Sequence, residues 1–182
     1  MLQNEILKDL ELQINQIIEW AESLRKVDNS MLRAKPSENS WSALECIDHL
    51  NRYSEFYLPV FTKAIDKSPL KKSEKYKPGW LGNKLAQDIL PQNGKLKSTM
   101  KTFKSKDPAL DGVKPNALDN FIDFQKKFLV ILDNAKTKNL EALRVSTTLP
   151  MIRLKLGDAL RFVIFHEVRH VVQAKKALNS HD

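Results

Sequence analysis

Apolar residues in the first stretch of the chain recur at alternating steps of three and four. Leu7, Leu10, Ile14, Ile17, Ala21 and Leu24 form one stripe, with polar and charged residues filling most of the remaining positions. This is the period of a helix that lays one face on a core, and it predicts a first helix over about residues 3 to 27. The second helix has a sharper start. Ser42-Ala-Leu-Glu45 is a capping box, in which each side chain satisfies the other residue's backbone N–H. Trp41 stands just outside it, placed to pack on the first turn, and the pattern continues to about Lys67 with a bend expected at Pro59. A third helix follows Pro115, with Asn116 as its cap and Leu118, Phe121, Phe128 and Leu132 as its stripe. The fourth begins near Gly157-Asp158 and runs to about Leu178.

Residues 68 to 115, between the second and third helices, hold five of the eight prolines and four of the five glycines, so they read as a connector. Within it Asn83 to Leu90 reads as a short helix, and further on Val145 to Pro150 reads as extended chain. Neighbouring antiparallel helices need a link of only about 2 to 8 residues. A bundle helix of about 25 residues is roughly 37 Å long. A connector of this size returns along such a helix and lets the second and third helices run parallel. The expectation is an all-α, single-domain four-helix bundle spanning residues 1–182, with a long crossover between helices two and three.

Composition narrows the setting. No stretch reaches the roughly 18 to 20 apolar residues of a membrane span, and charges run through the first 25 residues, so no apolar signal core is expected there. The single cysteine, Cys46, reads as a small buried apolar residue and fits a reducing compartment; the cytoplasm is the expected location. Of the net charge of +8, the connector carries +7, from eleven lysines against Glu74, Asp88, Asp107 and Asp111. It has no arginine for bidentate phosphate or guanine recognition, and Tyr76, Trp80 and Phe103 are spread too far apart to read as a base-stacking set. A solvated lysine-rich loop is expected, with no specific nucleic-acid partner.

The histidines change the picture. On the fourth helix Ala159, Val163, His166, His170, Gln173 and Ala177 follow steps of four and three, and on the second so do Ser42, Cys46, His49, Tyr53, Phe56 and Val60. Three of the four histidines therefore lie on inward seams, and His181 on the tail is expected to be idle. Buried imidazoles need partners for two nitrogens each, and three on converging seams compete for the same donors. Two readings follow: a divalent metal held by His49, His166 and His170, which the spacing favours, or a hydrogen-bonded histidine cluster.

His166-Glu167-x-x-His170 also spells the zinc-protease pattern, but that helix requires a third ligand downstream. Only twelve residues follow His170, and Gln173 and Lys176 occupy the positions where Gly and His would be needed. Glu167 is expected to pair with a neighbouring basic side chain instead.

Trp41-Ser42-x-x-Glu45-x-x-x-His49-Leu50, then Leu156-Gly157-Asp158-Ala159-Leu160 leading to His166-Glu167-x-Arg169-His170-x-x-Gln173, resemble the DinB-like superfamily over nearly the whole chain. The resemblance implies a four-helix bundle in up-down-down-up order and a divalent metal, usually zinc or nickel, on a triad matching His49, His166 and His170. It also implies homodimers and, in some characterised members, thiol S-transfer that uses a low-molecular-weight thiol such as bacillithiol, mycothiol or glutathione.

Three neutral imidazoles leave the ion its full charge and at least one open position, suited to activating water or holding a thiolate. Glu45, Tyr53 and Gln173, each one turn from a histidine, are candidates for orienting those ligands or lining the pocket. The expected function is a divalent-metal-dependent enzyme acting on a small-molecule substrate, by thiol S-transfer or hydrolysis. The alternative is a bundle that binds metal or ligand without turnover.

Overall fold

The computed structural model describes residues 1–69, 71–92, 94–96 and 101–180; His181 and Lys97 lie outside the described residues. In chain order the helices are α1 (Gln3–Ser23), α2 (Asn29–Arg33), α3 (Ala43–Asp66), α4 (Trp80–Ile89), α5 (Pro108–Asp111), α6 (Ala117–Ala135) and α7 (Leu156–Leu178). Four of them are long and carry the apolar stripes. All six residues of the α1 stripe are buried, as are Phe121, Phe128 and Leu132 on α6, while Leu118 is only half-buried. At about 1.5 to 3 kcal/mol for each large apolar side chain withdrawn from water, these stripes supply most of the driving force.

Several details depart from the sequence reading. The first helix stops at Ser23 and continues as a 3-10 turn over Leu24–Lys26. Asn116 occupies the N-cap position of α6 but makes no side-chain cap; it adopts a left-handed backbone, φ 56°, that brings the chain into the helix after Pro115. The all-α expectation misses one small antiparallel hairpin, β1 (Arg144–Ser146) with β2 (Arg153–Lys155), where the extended stretch had been expected. The short helix in the connector is present as α4, starting three residues earlier than expected.

The helices form one continuous apolar core. α3 packs against α6 and α7, α1 packs against the same two, and α4 lies on α7. Contacts mark which ends meet. Asn51 Nδ2 donates to Ala117 O at 2.8 Å, and beyond the other end of the same pair Lys138 Nζ donates to Ser68 O at 3.0 Å. Gln3 Nε2 donates to Lys138 O at 2.8 Å, while Arg25 at the other end of that helix pairs with Asp119 at 2.7 Å. Trp20 near the end of α1 lies under Lys175 near the end of α7.

Two anchors hold the connector down. At its start, the buried Asp158 carboxylate accepts from Tyr76 Oη at 2.5 Å and from Gly79 N at 2.8 Å. The approach is close enough that a Cβ on Gly82 would stand 2.4 Å from Asp158 Cβ, and one on Gly157 2.7 Å from the Tyr76 ring. At its end, buried Arg52 on α3 bonds Asp48 at 2.8 Å, Asp111 and the carbonyl of Gly112. Residues 103–114 are thereby strapped across α3. This explains why α3 is buried from Ala43 through Ser54 on all sides, which one apolar stripe does not require. No helix among the described residues is long and apolar enough to cross a membrane.

Candidate metal centre

The capping box forms as expected: Glu45 N donates to Ser42 Oγ at 3.1 Å and Ser42 N to the Glu45 carboxylate at 2.8 Å. It fixes the start of α3 and hence the rotation of its seam, contributing on the order of 1 kcal/mol. Two turns on, His49 points across to α7, where His166 and His170 stand one turn apart on the facing stripe. All three are buried. His166 Nε2 lies 3.3 Å from His49 Nε2 and 3.0 Å from His170 Nε2, and the three sets of ligand atoms fall within 4.8 Å of one another.

Lys106, in the 3-10 turn Lys104–Lys106, supplies the outer contact: His49 Nδ1 lies 2.6 Å from its main-chain oxygen. A carbonyl only accepts, so Nδ1 carries the proton and the Nε2 lone pair of the neutral ring faces the cluster. Burial drives all three imidazoles toward the neutral form. His49 is pushed down to about 4, against the upward pull of the Lys106 carbonyl. His166 and His170 fall well below the ordinary histidine value through burial, with repulsion from neighbouring histidines and Arg169 added.

Proton counting exposes the strain in this arrangement. His49 Nε2 is an acceptor, and two close Nε2–Nε2 contacts remain. If His166 Nε2 bears a proton it serves one neighbour well; if His170 Nε2 bears it, the His49–His166 contact sets two lone pairs against each other. A hydrogen-bonded cluster therefore satisfies one contact and leaves the other unfavourable. Two nitrogens bound at about 2.05 Å to one tetrahedral ion stand about 3.3 Å apart. The observed separations of 3.0 and 3.3 Å are close to that spacing.

Aromatic rings enclose the trio. The Trp41 ring centre is 4.7 Å from His49 and 5.8 Å from His170, Tyr53 is 5.0 Å from His49 and 4.7 Å from His166, and Phe162 stacks parallel to His166 at 6.2 Å. Of the three residues expected to support the site, Tyr53 is in place as a wall, its hydroxyl pushed up to about 12 by burial. Gln173 lies close enough to His170 to work against its burial shift, though His170 Nδ1 has no hydrogen-bond partner of ordinary geometry among the described residues. Glu45 is committed to the cap and to Lys35 at 2.8 Å, and these contacts lie away from the histidines. Cys46 is buried and held as a thiol, its pKa driven upward by burial.

Glu167 corrects the sequence reading. It pairs with no basic side chain among the described residues; its carboxylate is enclosed without an ordinary hydrogen bond, and burial raises it to about 8 despite the nearby Gln125 amide. Neither oxygen hydrogen-bonds a histidine. The Lys106 carbonyl was invisible in the sequence, because a main-chain acceptor leaves no mark on side-chain type. Phe162 was visible: it stands four residues before His166, one turn away on the same side of the helix.

The family model of the DinB superfamily matches residues 9–174, so the chain belongs to the DinB superfamily, whose members are generally metal-binding. Neither a curated protein nor a solved structure gives a match.

Proposed function

We propose that His49, His166 and His170 hold one divalent ion, zinc or nickel, and that the chain is a metal-dependent enzyme acting on a small molecule by thiol S-transfer or hydrolysis. The observation that carries this is the pair of Nε2–Nε2 separations, 3.3 and 3.0 Å, around a histidine whose other nitrogen is committed to Lys106 O. Bound there, the ion would supply a Lewis acid able to bring a water or thiol toward its anionic form near neutral pH. This chain's own part is to keep three imidazoles neutral by burial and to orient His49 through its second nitrogen. The rings of Trp41, Tyr53 and Phe162 restrict the water around them. Glu167 has no place in this chemistry, which separates the site from a peptidase of the H-E-x-x-H type, where that residue is the general base.

We also read the bundle as a single domain in up-down-down-up order. The Asn51–Ala117 and Ser68–Lys138 contacts favour α3 and α6 running the same way, Gln3–Lys138 and Arg25–Asp119 favour α1 running opposite to α6, and Trp20–Lys175 favours α1 and α7 running together.

The test is elemental analysis of protein purified without a nickel column, followed by a screen for thiol conjugation and ester hydrolysis with and without added metal. About one divalent ion per chain and a metal-dependent turnover are expected. Protein that takes up neither zinc nor nickel at micromolar concentration would sink the proposal.

A further inference from the structure

A cleft of about 510 Å³ opens beside the histidine centre, between the 103–106 segment and the β1–β2 hairpin, with Phe56 of α3 in its wall. The volume lies within the roughly 300 to 1,000 Å³ of sites that enclose a small organic molecule. Its apolar lining includes Phe56, Phe103, Leu149, Met151 and Ile152, and its charged lining is Lys106 and Arg153, with no carboxylate among the described residues. The seam of α3 explains why it is open. Tyr53 is buried, but Phe56, next on the same stripe, is only half-covered and forms part of the cleft wall. Thr148 N donates to Tyr57 Oη at 3.2 Å, which pins the hairpin tip to α3 and keeps the far wall in place.

Lys106 belongs to both sites. Its carbonyl holds His49 Nδ1, its side chain is part of the cleft wall, and its ammonium stands 5.6 Å from the Tyr53 ring centre. Nearby charges are already matched: Arg52 with Asp48 and Asp111, and Lys114 with Glu55. No carboxylate lies within ion-pair distance of Lys106 Nζ among the described residues, and its one hydrogen bond there goes to the main-chain oxygen of Arg52. An ammonium has three donors, so two remain for a ligand.

We propose that this cleft binds a small organic acid, its apolar body against Phe56, Phe103 and Ile152 and its carboxylate between Lys106 and Arg153. Binding stands on the cleft alone; its role as the substrate site rests on the metal-centre reading. The guanidinium of Arg153 gives one N–H to Arg144 O at 3.0 Å, which positions it and leaves the others to face an anion.

The probe pair is 4-phenylbutyrate and its neutral counterpart 4-phenylbutan-1-ol, titrated into isotopically labelled full-length protein, zinc-loaded and metal-free, with amide shifts as the readout. The acid should give saturable shifts at 103–106 and 146–153 and bind about tenfold more tightly than the alcohol, the size of one or two partly exposed charge contacts. Lys106→Met keeps the carbonyl on His49 and much of the apolar stem. That variant, and separately Arg153→Met, should weaken the acid by about fivefold and leave the alcohol unchanged. Equal affinity for acid and alcohol, shifts centred elsewhere, or no saturation by the acid overturns the proposal. If zinc fails to bind while the acid behaves as expected, the metal reading falls and the cleft stands; the reverse result sinks the cleft alone.

Discussion

His49 Nδ1 and the main-chain oxygen of Lys106, fifty-seven residues apart in the chain, lie 2.6 Å from each other. One helix thus supplies the imidazole and a strap from the crossover sets its tautomer. The strap is held by side chains away from the histidines, so the centre depends on residues that never touch it.

Removing any one of the three histidines should be visible directly in metal affinity. His49→Ala, His166→Ala and His170→Ala should each weaken zinc binding by at least about a hundredfold, more than loss of an outer-shell contact does. Helical circular dichroism should be retained, because the apolar stripes carry the fold. Competition titration with a zinc chelator reads the affinity; a variant that keeps wild-type affinity removes that residue from the ligand set.

Arg52 offers a test of the strap. Its Asp48 partner is fully buried, so Arg52→Met strands a carboxylate that, among the described residues, keeps the Lys114 N–H, and a cost of about 3 kcal/mol is expected. The Asp111 limb is largely exposed and should add little. Metal affinity should fall about tenfold as Lys106 loses its register, an outer-shell effect. Chemical denaturation and zinc titration measure the two; destabilisation without any loss of affinity would show that the strap does not orient His49.

Much of this was legible beforehand, for particular reasons. The α1 stripe and the two histidine seams obey a period that side-chain type reveals directly, and the Ser42–Glu45 box announces its helix start. What stayed hidden depended on main-chain groups or on long-range burial. The Lys106 carbonyl has no sequence signature. The burial of Asp48, Arg52 and Asp158 follows from where the crossover lands, which local pattern does not encode. Glu167 read as a partner for a neighbouring basic side chain, because its enclosure near Gln125 of α6 is a tertiary fact.

The Asp158 anchor should be sensitive to small changes. Tyr76→Phe removes one donor from a buried carboxylate that keeps Gly79 N, and a loss of about 1 to 3 kcal/mol is expected. Gly82→Ala should cost at least as much, since its Cβ would collide with Asp158 Cβ at 2.4 Å and the neighbour there is not a flexible chain end. Thermal melts of both variants check this; wild-type stability in either would mean that α4 docks on α7 without the anchor.

Glu167 and the histidines should bend the pH–stability curve of the metal-free protein in opposite senses. The histidines have folded pKa values below their ordinary 6.5, about 4 for His49, so the unfolded chain binds more protons between those limits. Their effect is a stability that rises with pH up to about 6.5 and then levels. Glu167 is raised from 4.5 to about 8, so the native state binds the extra proton and its effect is a stability that falls as pH rises through that window. The histidine effect still adds a little above pH 6.5, but it is common to wild type and a Glu167 variant. The difference between those two proteins therefore isolates Glu167: up to about 1.4 kcal/mol per pH unit, or roughly 2 kcal/mol between pH 6.5 and 8. Glu167→Gln, which mimics the neutral carboxyl, should lose the fall seen in wild type and gain stability relative to it steadily up to pH 8. Denaturant titrations in the presence of a chelator provide the measurement. Parallel curves for the two proteins across this window would show that Glu167 is ionised in the folded state and that its enclosure is less complete than the structure describes.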